Sequence, residues 1–190
     1  MKPKKIAFAG VLTLCLVAGV FFVPHQIWSY SGPGTMRDNG VLSYPRYKLE
    51  LPSVAVGEQL RSFTFTGVPS EAMSLVLYMP GSSVRNFEEL QRLQTVHVQI
   101  TAQLFEEATA STPRRLVCSA KGSPDGAATE SRWVVTGSSR SGALWHSRCL
   151  RVPISAERRY TLMLEIAGAD PSGLVSVLVP TLEGGGFELP

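Results

Sequence analysis

Two side chains of the segment LWHSRCLRVPI, residues 144 to 154, are of types that carry out catalysis: His146 and Cys149 lie three residues apart. An imidazole beside a thiol can act as base and nucleophile of a cysteine hydrolase, provided that the thiol is reduced, activated and exposed. Cys118 offers a different chemistry, because it is the only other cysteine outside the N-terminal apolar segment. A disulfide between Cys118 and Cys149 would close a loop of about 30 residues. We predict this disulfide.

The predicted geometry of the same segment argues against catalysis. ALWHSRCLRVPI, residues 143 to 154, is predicted to form one strand. Side chains alternate between the two faces of a strand, so Trp145 and Cys149 share one face and His146 points to the other. Trp145 is then expected to pack beside the disulfide, and the imidazole is directed away from the thiol. We predict no catalytic residue here.

Other catalytic and metal-binding patterns are missing from the sequence. The three histidines, His25, His97 and His146, are too few for a histidine-rich zinc site. No phosphate loop, calcium loop or H-E-x-x-H motif occurs, and TGSSRSG, residues 136 to 142, lacks the nucleophile-elbow spacing. We predict no cofactor and no metal. Two carboxylates that meet only in space stay possible, so a carbohydrate-active hydrolase is one alternative.

Basic residues are concentrated in one region of the chain. Residues 114 to 159 contain nine arginines and lysines against three acidic residues. Arginines gathered on one sheet face or edge would bind an anionic lipid headgroup, an acidic polysaccharide or an acidic protein surface. The alternative is that these charges protect exposed strand edges from pairing. The predicted binding residues are Arg132, Arg140, Arg148 and Arg151.

The N-terminus predicts membrane targeting. Residues 6 to 23, IAFAGVLTLCLVAGVFFV, contain no charge and are about long enough to cross a bilayer. Lys2, Lys4 and Lys5 precede this segment, which favours a cytoplasmic N-terminus and an exported C-terminus. We expect residues 1–30 to be a signal-anchor in the cytoplasmic membrane, with the domain in the periplasm or extracellular space. Cleavage near Ser29–Ser31 would instead give a secreted protein.

The overall charge excludes one class of partner. The chain has 18 basic and 15 acidic residues, and three of the lysines precede the apolar segment. The exported part is therefore formally neutral, and nucleic-acid binding has no electrostatic support.

The remaining chain has the pattern of an all-β protein. We expect residues 31–45 to be a linker and residues 46–190 to form one domain, because apolar and polar residues alternate over short runs separated by Gly, Pro and Ser. About nine strands and one short helix, residues 86–93, predict an antiparallel β-sandwich or jelly-roll. The predicted strands are residues 47–51, 62–68, 73–79, 95–105, 115–120, 132–137, 143–154, 159–167 and 174–182.

These features predict a non-catalytic, extracytoplasmic binding or accessory module of the cell envelope. Its partner would be an envelope protein or an anionic glycan or lipid surface, and the membrane contact would be made by residues 6–23; no oligomeric state follows from the sequence. A second hypothesis is an inhibitor or immunity-type protein that neutralises an envelope-acting enzyme or toxin. The two-carboxylate hydrolase is the third.

Overall fold

The fold is built almost entirely from β-strands. The computed structural model describes residues 29–40, 43–57, 60–83, 88, 91, 98–122, 131–136, 141–168 and 176–185. Its strands are β1 (Thr35–Asp38), β2 (Tyr47–Glu50), β3 (Val54–Ala55), β4 (Arg61–Thr66), β5 (Ala72–Ser83), β6 (Val98–Glu106), β7 (Arg115–Gly122), β8 (Ser131–Thr136), β9 (Ser141–His146), β10 (Val152–Pro153), β11 (Arg159–Gly168) and β12 (Val177–Gly184).

The strands form two antiparallel sheets. The larger sheet has the order β1-β2-β12-β5-β9-β8, with β10 paired to β5 and β3 paired to β12. The smaller sheet has the order β4-β11-β6-β7. The paired strands run antiparallel in every case that the structure describes. The prediction of an all-β, antiparallel fold is confirmed.

One hydrophobic core joins the two sheets. In β11, Leu162, Leu164 and Ile166 are fully buried at alternate positions, as expected for a strand with one face on a core. Leu49 and Leu182 of the larger sheet belong to the same core cluster. A core shared by two sheets is the arrangement of a β-sandwich.

The segment predicted as a single strand, residues 143–154, is divided into three elements. β9 ends at His146, a 3-10 turn covers Ser147–Cys149, and β10 begins at Val152. The prediction of one regular strand is therefore wrong, and alternation counted from Trp145 does not extend to Cys149. The turn redirects the chain, so that β10 pairs with β5 at Val152 and Met73.

The segment expected to be a linker contains part of the larger sheet. β1 lies within residues 31–45 and pairs with β2, with Thr35 opposite Glu50 and Asp38 opposite Tyr47. The sequence does not predict this strand, because the glycines and the proline around it are typical of turns and linkers.

Two other predictions fall largely outside the described residues. The predicted helix, residues 86–93, is described only at Glu88 and Gln91, which are both helical. The apolar segment, residues 6–23, is not described at all. Within the described ranges, no helix is long and apolar enough to cross a membrane.

Candidate functional site

An open cleft lies at one end of the larger sheet, where β5 begins and β12 ends. Its volume is about 290 Å³. Polar groups converge on it from segments far apart in sequence, because strand pairing brings the start of β5 beside the end of β12 and beside β10. The lining residues are Tyr44, Glu71, Ala72, Ser74, Arg151, Gly184 and Gly185.

Hydrogen bonds fix the two walls of this cleft to each other. The backbone N–H of Arg151 donates to the hydroxyl of Ser74 over 3.0 Å. The N–H of Ile154 donates to the carbonyl oxygen of Glu71 over 3.1 Å. The segment after the 3-10 turn is therefore held against the start of β5.

Arg151 adopts an unusual backbone conformation. Its φ is 52°, the only positive φ of a non-glycine residue among the described residues. The left-handed region is unfavourable for a residue with a Cβ, and such conformations cluster at functional sites. The Arg151 side chain is exposed. The fold thus holds an exposed guanidinium at the cleft at a conformational cost.

Glycines form the opposite side of the cleft. A Cβ at Gly184 would collide with the carbonyl oxygen of Ala72. At Gly185, where φ is +68°, a Cβ would lie 2.9 Å from the Tyr47 ring and 3.6 Å from Cγ of Glu71. Backbone therefore approaches closely here, and a ligand can reach peptide groups as well as side chains.

The cleft contains charges of both signs. Arg151 contributes a guanidinium and Glu71 an exposed carboxylate. Next to the cleft, burial raises the pKa of the Tyr47 phenol; Arg46 opposes the increase, whereas Asp38 and Glu71 add to it. The Tyr47 phenol therefore stays neutral at physiological pH, and Arg151 and Glu71 provide the charge of the lining.

The size of the cleft limits what it can hold. A volume of about 290 Å³ is near the lower end of the range for ligand pockets, roughly 300 to 1,000 Å³. One amino-acid side chain or one sugar ring fits such a space. Tyr44, which is 57 % exposed, offers an aromatic surface for that group.

The four predicted binding arginines do not all meet in the described structure. Arg151 lines the cleft, whereas Arg148 is exposed in the 3-10 turn. Arg132 lies in β8, an edge strand of the larger sheet. Arg140 lies outside the described residues. Only Arg151 is therefore brought into a described cleft.

The predicted disulfide is present and changes the interpretation of Cys149. Cys118 of β7 and Cys149 of the 3-10 turn are bonded, with their Cα atoms 5.3 Å apart. Both residues are buried. Since β7 belongs to the smaller sheet and the turn follows β9 of the larger, the bond links the two sheets. A bonded sulfur is not a nucleophile, so Cys149 cannot act as a catalytic thiolate in this state.

Several residues of the cleft carry no motif that would mark them in the sequence. Tyr44 precedes β2, whereas Glu71 immediately precedes β5 and Ser74 lies near its start, and the pairing of both β2 and β5 with β12 brings them together. Within the described ranges, no group of three or more histidine, cysteine, aspartate or glutamate residues is arranged to hold a metal ion.

The chain matches no protein-family model, no curated protein and no solved structure.

Proposed function

We propose that this chain is a non-catalytic binding module of the cell envelope, anchored in the cytoplasmic membrane by residues 6–23. Its β domain lies on the extracytoplasmic side. The disulfide between Cys118 and Cys149 supports this location, because disulfides persist in oxidising compartments.

The observation that carries the binding role is Arg151, an exposed arginine kept in the left-handed region beside a cleft. A guanidinium presents a planar set of donors that matches a carboxylate. Glu71 at the same cleft accepts a hydrogen bond from a hydroxyl or an amide. The ligand is thus a carboxylate with a hydrogen-bond donor beside it, and we assign it to an acidic segment of an envelope protein.

Binding rather than catalysis fits the groups of the cleft. None of its described lining residues is a histidine or a cysteine, and Glu71 is the one carboxylate among them. Glycoside hydrolysis by the usual route needs two carboxylates that flank the bond to be cleaved. A guanidinium, a carboxylate, a hydroxyl and a phenol suit recognition of a polar ligand.

The test is capture of envelope components by the full chain. Wild type is compared with Arg151→Gln, and with Arg61→Gln as a control that removes an arginine from β4 of the other sheet. We expect a protein that is recovered by wild type and by the control but lost with Arg151→Gln. Equal recovery with all three chains would overturn the role of the cleft. Recovery of a glycan instead of a protein would overturn the assignment of the partner, and inhibition of a captured enzyme would favour the inhibitor hypothesis.

A further inference from the structure

The chain is fixed to the fold at Tyr30 and Ser31, a few residues after its predicted membrane segment. Ser31 pairs with Thr66 at the end of β4, with its N–H donating to the Thr66 carbonyl oxygen over 3.2 Å and its own carbonyl oxygen accepting over 2.9 Å. The Tyr30 hydroxyl donates to the carbonyl oxygen of Pro33 over 2.5 Å, and its ring packs against the core. Burial raises the pKa of Tyr30 to about 12. The domain thus has no free linker at this point.

This attachment point lies at one end of the smaller sheet. Thr66 pairs with Arg159 of β11, and the Arg159 carbonyl oxygen accepts a hydrogen bond of 2.8 Å from the N–H of Glu107. Ser31, Thr66, Arg159 and Glu107 therefore form one row across the end of the sheet. Since neighbouring strands are about 4.8 Å apart, Arg159 lies roughly 10 Å from Ser31.

Four arginines occupy the same end of the sheet. Glu106 accepts a hydrogen bond of 2.8 Å from Arg115 and lies 3.4 Å from Nε of Arg158. Arg114 lies 3.3 Å from Glu107. We define the arginine cluster as Arg114, Arg115, Arg158 and Arg159.

The arginine cluster presents positive charge to solvent. The side chains of Arg115 and Arg114 are 62 % and 44 % exposed, whereas their carboxylate partners Glu106 and Glu107 are 13 % and 25 % exposed. The acidic groups therefore lie beneath the guanidinium groups. Glu157, an exposed carboxylate next to Arg158 in sequence, adds to Glu106 and Glu107, so this end has four guanidinium groups against three carboxylates and a net charge of +1.

The predicted membrane segment is close to this end of the domain along the chain. Six residue steps separate Val23, the last residue of the apolar run, from Ser29. Fully extended, they span at most about 20 Å. The headgroup region on each side of a bilayer is about 5 to 7 Å thick. The arginine cluster is thus within reach of the headgroups.

We propose that the arginine cluster binds the anionic phosphate groups of the lipids in the membrane that residues 6–23 cross. Guanidinium groups bind phosphate oxygens in a bidentate geometry, and basic residues next to a membrane segment bind anionic lipid. This contact holds the domain with one end of the smaller sheet on the bilayer. The inference rests on the membrane anchoring of the proposed function. It does not depend on the cleft at Arg151, which is built by the larger sheet.

The experiment uses the full chain in lipid nanodiscs, made of phosphatidylcholine alone or of phosphatidylcholine mixed with phosphatidylglycerol. Amide hydrogen exchange is measured over residues 107–114 and 155–160. We compare wild type with Arg114→Gln/Arg159→Gln and with a control, Arg61→Gln/Lys121→Gln. Arg61 pairs with Leu164 and Lys121 pairs with Thr101, at the opposite end of the smaller sheet. The control therefore removes two positive charges, as the test variant does, but away from the arginine cluster.

We expect anionic lipid to slow exchange in these two segments several-fold in wild type and in the control, but not in Arg114→Gln/Arg159→Gln. Equal exchange in the two lipids, or the same loss in both double variants, would overturn the lipid contact. Extraction of the chain from the discs by alkaline carbonate would overturn the anchoring itself, and so separates failure of the proposed function from failure of the contact.

Discussion

The backbone N–H of Arg151 donates a hydrogen bond of 3.0 Å to the hydroxyl of Ser74, a residue 77 positions earlier in the chain. This bond joins β5 to the loop before β10 and holds Arg151 where φ is 52°. The conformation is unfavourable for any residue with a Cβ, so its stability comes from the surrounding contacts.

Replacement of Arg151 by glycine separates stability from binding. Arg151→Gly relieves the left-handed conformation, and we expect the free energy of unfolding to rise by about 1 kcal/mol. Ligand capture should be lost, because the guanidinium is gone. Ser74→Ala removes the acceptor and should lower stability by about 1 kcal/mol. Urea denaturation of the chain in mild detergent measures both changes. Destabilisation by Arg151→Gly would contradict this prediction, because it would show that contacts of the Arg151 side chain stabilise the loop by more than the left-handed conformation costs.

The disulfide between Cys118 and Cys149 should account for much of the stability of the domain. The bond closes a loop between residues 31 positions apart, for which the chain-entropy model gives about 3 to 4 kcal/mol. We expect Cys118→Ala/Cys149→Ala to lose this amount and to become insensitive to dithiothreitol. Cys15→Ala, which changes the third cysteine, should unfold as wild type does. A wild-type unfolding curve that reductant leaves unchanged would contradict this prediction.

A pH dependence is expected from Glu183 on β12. Burial raises the pKa of its carboxyl above the ordinary value of 4.5, and the effect is opposed by the hydrogen bond from Tyr78 and by Lys48. The folded state therefore holds this proton more tightly than the unfolded state does. The stability from the protonated carboxyl is fully present below pH 4.5 and is lost as pH rises through the higher pKa of the folded state.

Two variants test this dependence in opposite directions. Glu183→Gln has no titrating carboxyl, so the decrease in the free energy of unfolding above pH 4.5 should become smaller. Tyr78→Phe removes the hydrogen bond of 2.8 Å that favours the carboxylate, so the decrease should become larger and extend to higher pH. Urea denaturation between pH 4 and pH 8 measures the three curves. Parallel curves for wild type and Glu183→Gln would contradict the assignment to Glu183.

Strands with regular alternation were predicted with bounds close to the observed ones. β4, β6 and β11 have apolar residues at every second position, and their predicted and observed ranges overlap closely. The predictions were less accurate where tertiary pairing changes the local pattern. In β7, Leu104 pairs with Cys118 and Phe105 pairs with Leu116, so the strand contains a bulge. Leu116 is 48 % exposed as a result, which alternation from Cys118 does not predict.

The candidate site was predicted only in part, because strand pairing and not local sequence assembles it. The concentration of basic residues predicted Arg151 as a binding residue, and the number of cysteines predicted the disulfide. Glu71 and Tyr44 enter the cleft through the pairing of β2, β5, β10 and β12, and no local motif marks them. A site assembled from four distant segments is visible only after the strand order is known.

The attachment of the N-terminal segment depends on Gly67. Its φ is +71°, and a Cβ there would collide with the carbonyl oxygen of Ser29. Gly40 is a matched control, because its φ is +93° and a Cβ there would have no neighbour within 4 Å. Alanine is destabilising at both positions because φ is positive. Only Gly67→Ala must also displace Ser29 and its neighbours. We expect Gly67→Ala to lose about 1 to 3 kcal/mol more than Gly40→Ala.

Hydrogen exchange locates the damage that this substitution causes. The N–H of Thr66 donates to Ser31 over 2.9 Å, so Gly67→Ala should speed its exchange, whereas Gly40→Ala should leave it unchanged. The amides within β6 and β11 should exchange alike in both variants, since their pairing does not involve residues 29–31. If Thr66 stayed protected in Gly67→Ala, the segment after the proposed membrane anchor would not be held by β4. The proposed anchor would then be joined to the domain by a flexible connection, and the arginine cluster would have no fixed position at the bilayer.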